Sequence, residues 1–285
     1  MNNFNKTIYL LWLQGWENVP WLQKQVAESW KINNPNWDIK LLDEKNIKGY
    51  LPEVDYLYDK NNNISMQSKS DIIRINLLNK YGGVWADSTL LCMQPLDFWF
   101  EELVGPYGFW TYHAFGAGLA NELGSYGPCM WFLISDNHNY IIKKLKESCD
   151  IYWRNNGKDK NRNYFWLDYL FKNLFENDLF FKFLWLKVPY IDGEKYGQSC
   201  ILGYWDEGVQ YIFSSNFKLK KLLSEKPPYV LKFWKTWTEK FSNPNIEDCK
   251  GTNGYHAIQL SKKCIKYKHE INNEFFHDFL KIKNT

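Results

Sequence analysis

The residues best suited to chemistry lie within Ser68–Leu91, SKSDIIRINLLNKYGGVWADSTLL. Asp71 and Arg74 are three residues apart at what reads as a helix start, so they share a face and can pair. Gly82–Gly83 then lets the chain reverse tightly into an apolar segment carrying Asp87, Ser88 and Thr89. A carboxylate followed by two hydroxyls at the carboxyl end of a strand can hold ribose hydroxyls, or a divalent cation bridging two phosphates. Arg74 can offer a planar fork to the same anionic ligand or lock Asp71 in place. Each residue also has a plainer role. Asp71 can cap the helix dipole, Arg74 can pair with it at the surface for about 0–1 kcal/mol, and Asp87 can mark a turn. Taken together the three favour a ligand site, because apolar neighbours set Asp87 near a sheet interior.

The elements that must position these residues can be read along the chain. Thr7–Leu13 (TIYLLWL) is a continuous apolar run of strand length, as for a strand buried on both faces. Val19, Leu22, Val26 and Trp30 recur at helical spacing, and Asn33–Asn34–Pro35 end that helix. Trp37–Leu42 reads as a second strand, completing a βαβ unit that opens a doubly wound sheet. Residues 43–67 read as irregular. A helix capped by Ser70 and buried through Ile72, Ile73, Leu77, Leu78 and Tyr81 follows, stopped by the glycine pair. Val84–Leu91 then reads as one strand. Residues 105–128 have a loop-like Gly, Tyr and Trp composition, and helices are predicted over Asn137–Trp153 and Tyr164–Phe175. The last third, with Pro189, Pro227, Pro228 and Pro244, predicts irregular structure with about three short helices. With no repeat and no long linker, 1–285 reads as a single α/β domain: a Rossmann-like sheet with flanking helices in 1–100, and an irregular helical part in 101–285.

Composition narrows the class. A net charge of +3, with lysines dispersed apart from short clusters at Lys143–Lys146 and Lys218–Lys221, lacks the concentrated basic face of a nucleic-acid binder. A weak peripheral contact with anionic lipid headgroups stays open. The six cysteines include no Cys-x-x-Cys pair and no zinc-finger spacing, which favours reduced thiols in a cytoplasm. Met1–Lys6 does not resemble a signal peptide, and the most apolar later run, Leu179–Leu186, is too short to span a bilayer and contains Lys182. Fifteen Trp, 19 Tyr and 19 Phe can stack on sugars or bases, although most such rings simply fill cores. Neither a Gly-x-Ser-x-Gly elbow nor a P-loop occurs.

The segment SDIIRINLLNKYGGVWADST resembles the core of the capsular polysaccharide synthesis family of glycosyltransferases, which is related to DXD-containing transferases and, more distantly, to clostridial glucosylating toxins. The likeness extends upstream through IYLLWLQGWENVPWLQKQVAESWKINNPNWDIKLLDEKNI and weakly into NYFWLDYLF and PPYVLKFWKTW. It implies a GT-A fold, a nucleotide-sugar donor, most commonly a uridine diphosphate sugar, and transfer with retention. By the same resemblance Leu11, Trp12 and Leu13 would border the base, Asp71 would contact the donor's sugar or ribose beside Arg74, and Asp87 would take the first carboxylate of the DXD motif. The second acidic position is Thr89, a poor ligand for Mn²⁺ or Mg²⁺. Three outcomes are open at the Asp87 and Thr89 metal positions: Asp87 holds the metal through water, another carboxylate completes the site, or cationic residues replace the metal. Lys232 and Lys235, in a segment resembling the family's C-terminal lysine motif, are candidates for diphosphate contact; an amphipathic helix showing both lysines to solvent is the alternative.

Retaining transfer in which the departing phosphate accepts the acceptor's proton requires no dedicated base. Asp168 is then a candidate acceptor-side carboxylate or a helix residue at the core's edge, and His113 an acceptor contact or a structural histidine. The expected activity is transfer to a growing polysaccharide or lipid-linked oligosaccharide at the cytoplasmic membrane face. The alternatives are a protein-modifying glycosyltransferase and a nucleotide-sugar-binding module without catalysis.

Overall fold

The computed structural model describes residues 4–59, 62–114, 127–155, 164–191, 193, 215, 217–233 and 249–268. Its first half runs β1 (Thr7–Leu11), α1 (Trp21–Asn33), β2 (Asp38–Leu42), α2 (Ile47–Tyr50), α3 (Met66–Tyr81), β3 (Gly83–Ala86) and β4 (Leu90–Cys92). There follow α4 (Phe100–Leu103), β5 (Phe109–Trp110), β6 (His113–Ala114), β7 (Gly127–Pro128), β8 (Phe132–Ser135), α5 (Tyr140–Asn155), α6 (Trp166–Asn177) and α7 (Leu179–Trp185). The described elements close with α8 (Phe217–Glu225), β9 (Val230–Lys232) and α9 (Asn253–Ser261).

A five-stranded sheet has the order β2-β1-β3-β8-β5. Its first three strands are parallel, and β8 runs antiparallel to both β3 and β5. The chain leaves β1 through α1 to reach β2 on one side, then returns through α3 to β3 on the other. Strand order therefore switches at β1, and in open α/β sheets ligands bind outside the carboxyl ends of the strands at such a switch. This is the α/β, Rossmann-like arrangement expected from the sequence.

β1 and β3 are buried throughout, which is why both read as unbroken apolar runs. Ile72, Ile73, Ile75, Leu77 and Leu78 of α3 are buried as well, each contributing about 1.5–3 kcal/mol by leaving water. The helix begins one turn before the predicted start: Ser65 is the N-cap, its Oγ accepting from Ser68 N at 3.1 Å. Ser70 lies inside the helix and serves Arg74 instead. At the other end Gly82 and Gly83 adopt φ of 68° and 108°. A Cβ on Gly83 would lie 2.6 Å from Thr7 O, so the tight passage from α3 into β3 needs that glycine for space as well as for conformation.

The predicted strand Val84–Leu91 is two strands. β3 stops at Ala86, Leu90 N donates to Asp87 O at 2.8 Å across a turn, and β4 leaves the main sheet to pair with β9. Buried polar groups of α1 satisfy β4 on its other side. Trp30 Nε1 donates to Leu90 O at 2.8 Å, and Cys92 N to Ser29 Oγ at 3.0 Å. The predicted helices at 137–153 and 164–175 are α5 and α6, each displaced by two to three residues. Lys232 belongs to strand β9, not to an amphipathic helix, and Lys235 lies outside the described residues. Cys92, Cys129, Cys149, Cys249 and Cys264 are free thiols, and among the described residues no helix is long and apolar enough to cross a membrane.

Candidate active site at the strand-order switch

Asp87 follows the last residue of β3, at the carboxyl end of the strand beside the switch. Its backbone N donates to Trp131 O at 3.0 Å, extending the β3–β8 pairing by one step before the chain turns. The β1–β3 register aligns Tyr9 with Trp85, and the same offset carries Leu11 to Asp87. Leu11 thus lies level with Asp87 on the neighbouring strand, and Trp12 and Leu13 follow beyond the end of β1. Leu11 is buried and the other two are half-buried. Trp12 N donates to Leu42 O at 2.9 Å, and Glu44 N to Leu13 O at 3.3 Å, which fixes this segment against the end of β2.

Arg74 is the hub. Its side chain is only 7% exposed, and its guanidinium divides its donors among several partners. Nη1 donates to Met130 O at 2.6 Å and pairs with Asp71 Oδ1 at 3.1 Å. Nη2 donates to Ser70 Oγ at 3.1 Å and to Asp87 Oδ1 at 3.2 Å. The guanidinium carbon lies 5.2 Å from the centre of the Trp85 ring, whose Nε1 also donates to Asp87 Oδ1 at 3.0 Å. Asp71 and Arg74 do share a helix face, but in the interior of α3, where the pair is shielded from solvent.

The other oxygen of Asp87 meets Lys232. Lys232 Nζ is 2.7 Å from Asp87 Oδ2 and 2.7 Å from Thr89 Oγ1, and its side chain is 6% exposed. Backbone pairing sets this position. Leu90 of β4 opposes Lys232 of β9, and Phe233 N donates to Thr89 O at 2.9 Å. The approach of β9 is fixed further back by Tyr229, whose carbonyl accepts from Met93 N and Gln94 N and whose ring stacks on Trp99 at 4.8 Å. The structure therefore brings Asp71, Arg74, Asp87, Thr89 and Lys232 into one cluster, with Leu11 level with Asp87 on the neighbouring strand.

The electrostatics divide this cluster. Burial pushes the Asp87 carboxyl up, but the Lys232 ammonium and the Arg74 guanidinium outweigh it and hold Asp87 below the ordinary carboxylate range. Burial in turn lowers Lys232, opposed by the Asp87 charge. Asp71 behaves oppositely. Burial raises it to about 7, Arg74 lowers it in part, and the charges of Asp87 and Asp168 add to the rise. Asp168, in the first turn of α6, is raised by burial to about 6 and feels Arg74 as well. Asp168 and the neighbouring Tyr164 thus belong to the field of this site. In the sequence, Asp168 carries no more than a carboxylate on an apolar helix face; only tertiary packing turns it toward Arg74.

His113 lies in the interior. It is buried against Trp185 and Tyr190, with ring centroids 4.6 and 4.9 Å away, and burial lowers it to about 3, so the ring is neutral.

The same residues decide how a divalent cation would fit. Among the described residues no group of three or more His, Cys, Asp or Glu side chains could hold a metal ion. Mn²⁺ and Mg²⁺ require several hard oxygens in near-octahedral array. Here the Asp87–Thr89 pair offers one carboxylate and one hydroxyl, both already bound to the Lys232 ammonium, while Arg74 and Trp85 take the second carboxylate oxygen. These residues do not fit a dication at that place.

The chain is 28% identical over 161 residues to glycosyltransferase afumC of Aspergillus fumigatus, a match covering 52% of this chain and 38% of that protein. It is 29% identical over 97 residues to O-glycosyltransferase braB of Annulohypoxylon truncatum, covering 30% of this chain and 23% of the relative. The chain therefore spans well under half the length of the curated relatives it matches. Among solved structures, the PaToxG glycosyltransferase aligns with 62% of this chain and 70% of its own at 14% identity and a TM-score of 0.40. The capsular polysaccharide synthesis protein family matches residues 1–247, so the chain belongs to that family.

Proposed function

We propose that the chain is a glycosyltransferase of GT-A type that moves a sugar from a nucleotide-sugar donor, in the first instance a uridine diphosphate sugar, to a growing capsular or cell-surface glycan, with retention of configuration. The observation that supports this best is the cluster of Asp71, Arg74, Asp87 and Lys232 at the carboxyl ends of β1 and β3. Breaking the bond between anomeric carbon and diphosphate builds negative charge on the leaving group. Two buried cations fixed by β-pairing and by a carboxylate hub are preorganised to stabilise that charge. Asp71 and Asp168 lie on the other side, where carboxyl groups can orient sugar and acceptor hydroxyls; holding the acceptor there contributes through proximity. The acceptor hydroxyl passes its proton to the departing phosphate, so the site needs no separate base. The base is bordered by Leu11, Trp12 and Leu13. We place the reaction at the cytoplasmic face of the membrane, on a lipid-linked oligosaccharide.

Incubating purified protein with a panel of nucleotide sugars and measuring release of nucleoside diphosphate tests this reading. Release that vanishes in Asp87→Asn supports it. Thermal stabilisation by nucleotide sugars without any turnover would instead favour a binding module that has lost catalysis, the reading that Thr89 in place of an acid motivates.

A further inference from the structure

Resting on the nucleotide-sugar reading, we propose that Lys232 occupies the place of the divalent cation, so that the donor's diphosphate is held by the ammonium of Lys232, with the charge of the Arg74 guanidinium beside it, and without a metal.

The geometry places one ammonium at 2.7 Å from both side chains that stand at the two acidic positions of the motif, Asp87 and Thr89. Charge is conserved by this exchange. Two carboxylates around a dication sum to zero, and so do one carboxylate, one hydroxyl and one ammonium. Thr89 in place of an acid and a lysine in place of a metal are thus two halves of one substitution. Retaining a second carboxylate at position 89 would leave a buried negative charge without its partner, and adding a dication to the present site would set it against a buried ammonium.

Lys232 is also placed like a fixed ligand rather than a surface lysine. The β4–β9 register sets its backbone, Phe233 N ties the next residue to Thr89 O at 2.9 Å, and 6% of its side chain is exposed. The loss of freedom that a bound metal would otherwise impose on a diphosphate site has been built into the fold. Arg74, on the opposite oxygen of Asp87, supplies the second positive charge through its field, since its terminal N–H groups are taken up by Met130, Asp71, Ser70 and Asp87.

Calorimetric titration of the full chain with UDP, GDP, CDP and ADP, each with Mn²⁺, with Mg²⁺ and with EDTA, tests this assignment. The expected result is at least one nucleotide bound with Kd equal within about threefold in all three conditions. A tightening of about tenfold or more by Mn²⁺ or Mg²⁺ overturns the inference while leaving the donor reading intact. No binding of any nucleotide in any condition overturns the donor reading itself. Lys232→Met, checked for folding by circular dichroism, should weaken the nucleotide about tenfold or more, and unchanged affinity would count against the lysine. The double substitution Thr89→Asp with Lys232→Gln restores the acid and removes the ammonium. It should bind nucleotide only with Mn²⁺; binding indifferent to Mn²⁺ would show that the three side chains do not mark a metal's position.

Discussion

Asp87 and Asp71 sit on either side of the same arginine, with side chains 23% and 19% exposed, yet the protein treats them in opposite ways. Withdrawal from water acts on both. Asp87 has Lys232 on one oxygen and Arg74 and Trp85 Nε1 on the other, and it is held ionised. Asp71 shares Arg74 with Asp87 and faces the further negative charges of Asp87 and Asp168, so it rises to about 7. The number of cations per carboxylate, not the depth of burial, sets the difference. One end of the site is a fixed cationic seat built around a permanent anion, suited to phosphate charge. The other end holds carboxyl groups near neutrality, able to donate or accept hydrogen bonds to hydroxyls.

The hardest blow to this division should come from Asp87→Asn. The change is nearly isosteric but removes the anion that Arg74 and Lys232 share, leaving two buried cations against each other. Stability should fall by about 3–5 kcal/mol, read as a lower denaturation midpoint. Nucleoside diphosphate release should drop by about three orders of magnitude. Near-normal turnover in folded protein would break the comparison outright. Arg74→Ala comes next, because it frees both carboxylates and the Met130 carbonyl at once. A loss of about 2–4 kcal/mol in transition-state stabilisation is expected from kcat/KM, and Arg74→Lys should not restore it, since one ammonium cannot reproduce the fork.

Asp71 sharpens the contrast through pH. Its folded-state value, about 7, lies above the ordinary 3.8, so the folded protein keeps a proton that the unfolded chain releases. Below pH 3.8 both states are protonated and nothing is lost; as pH climbs from there to about 7 stability declines, and above that the cost is complete. Asp87 contributes with the opposite sign, stabilising above its ordinary range and losing that contribution as pH falls. Asp71→Asn should therefore raise the melting temperature at pH 7.5 by about 2–4 °C, with little effect at pH 4, while reducing turnover. A variant destabilised equally at both pH values would remove Asp71 from the raised end of the site.

These two ends were not equally legible in the sequence. Asp71, Arg74 and Asp87 are joined by local geometry, a three-residue helix spacing and a glycine reversal into the next strand, and local geometry leaves a pattern. The division between them depends on groups brought in from elsewhere. Lys232 arrives from 145 residues away through the β4–β9 register, which hydrophobic pattern does not encode, and its strand read equally well as one face of a helix. Asp168 reaches the site only because α6 packs on α5 and α7 and against β7. The break in VWADSTLL was hidden for a similar reason: its apolar flanks suit a strand, and the turn at Asp87 follows from β4 having a different partner from β3. The early start of α3 shows two serines competing for one role. Ser65 took the cap, and Ser70, one turn later, was left to orient Arg74.

Thr89 supplies the smallest and most diagnostic effect. If its hydroxyl does no more than accept one hydrogen bond from the Lys232 ammonium, Thr89→Val removes that bond while Asp87 keeps the lysine in place. The expected loss is about 1.5–3 kcal/mol in kcat/KM or less, because the bond is charge-assisted and its donor retains its stronger partner. Initial rates at pH 7.5 in Mn²⁺ and in EDTA measure it. The decline should be the same in both buffers, since no metal leaves with the hydroxyl. A decline confined to the Mn²⁺ buffer would instead make Thr89 a metal ligand and move the cationic seat of the site from lysine to the ion.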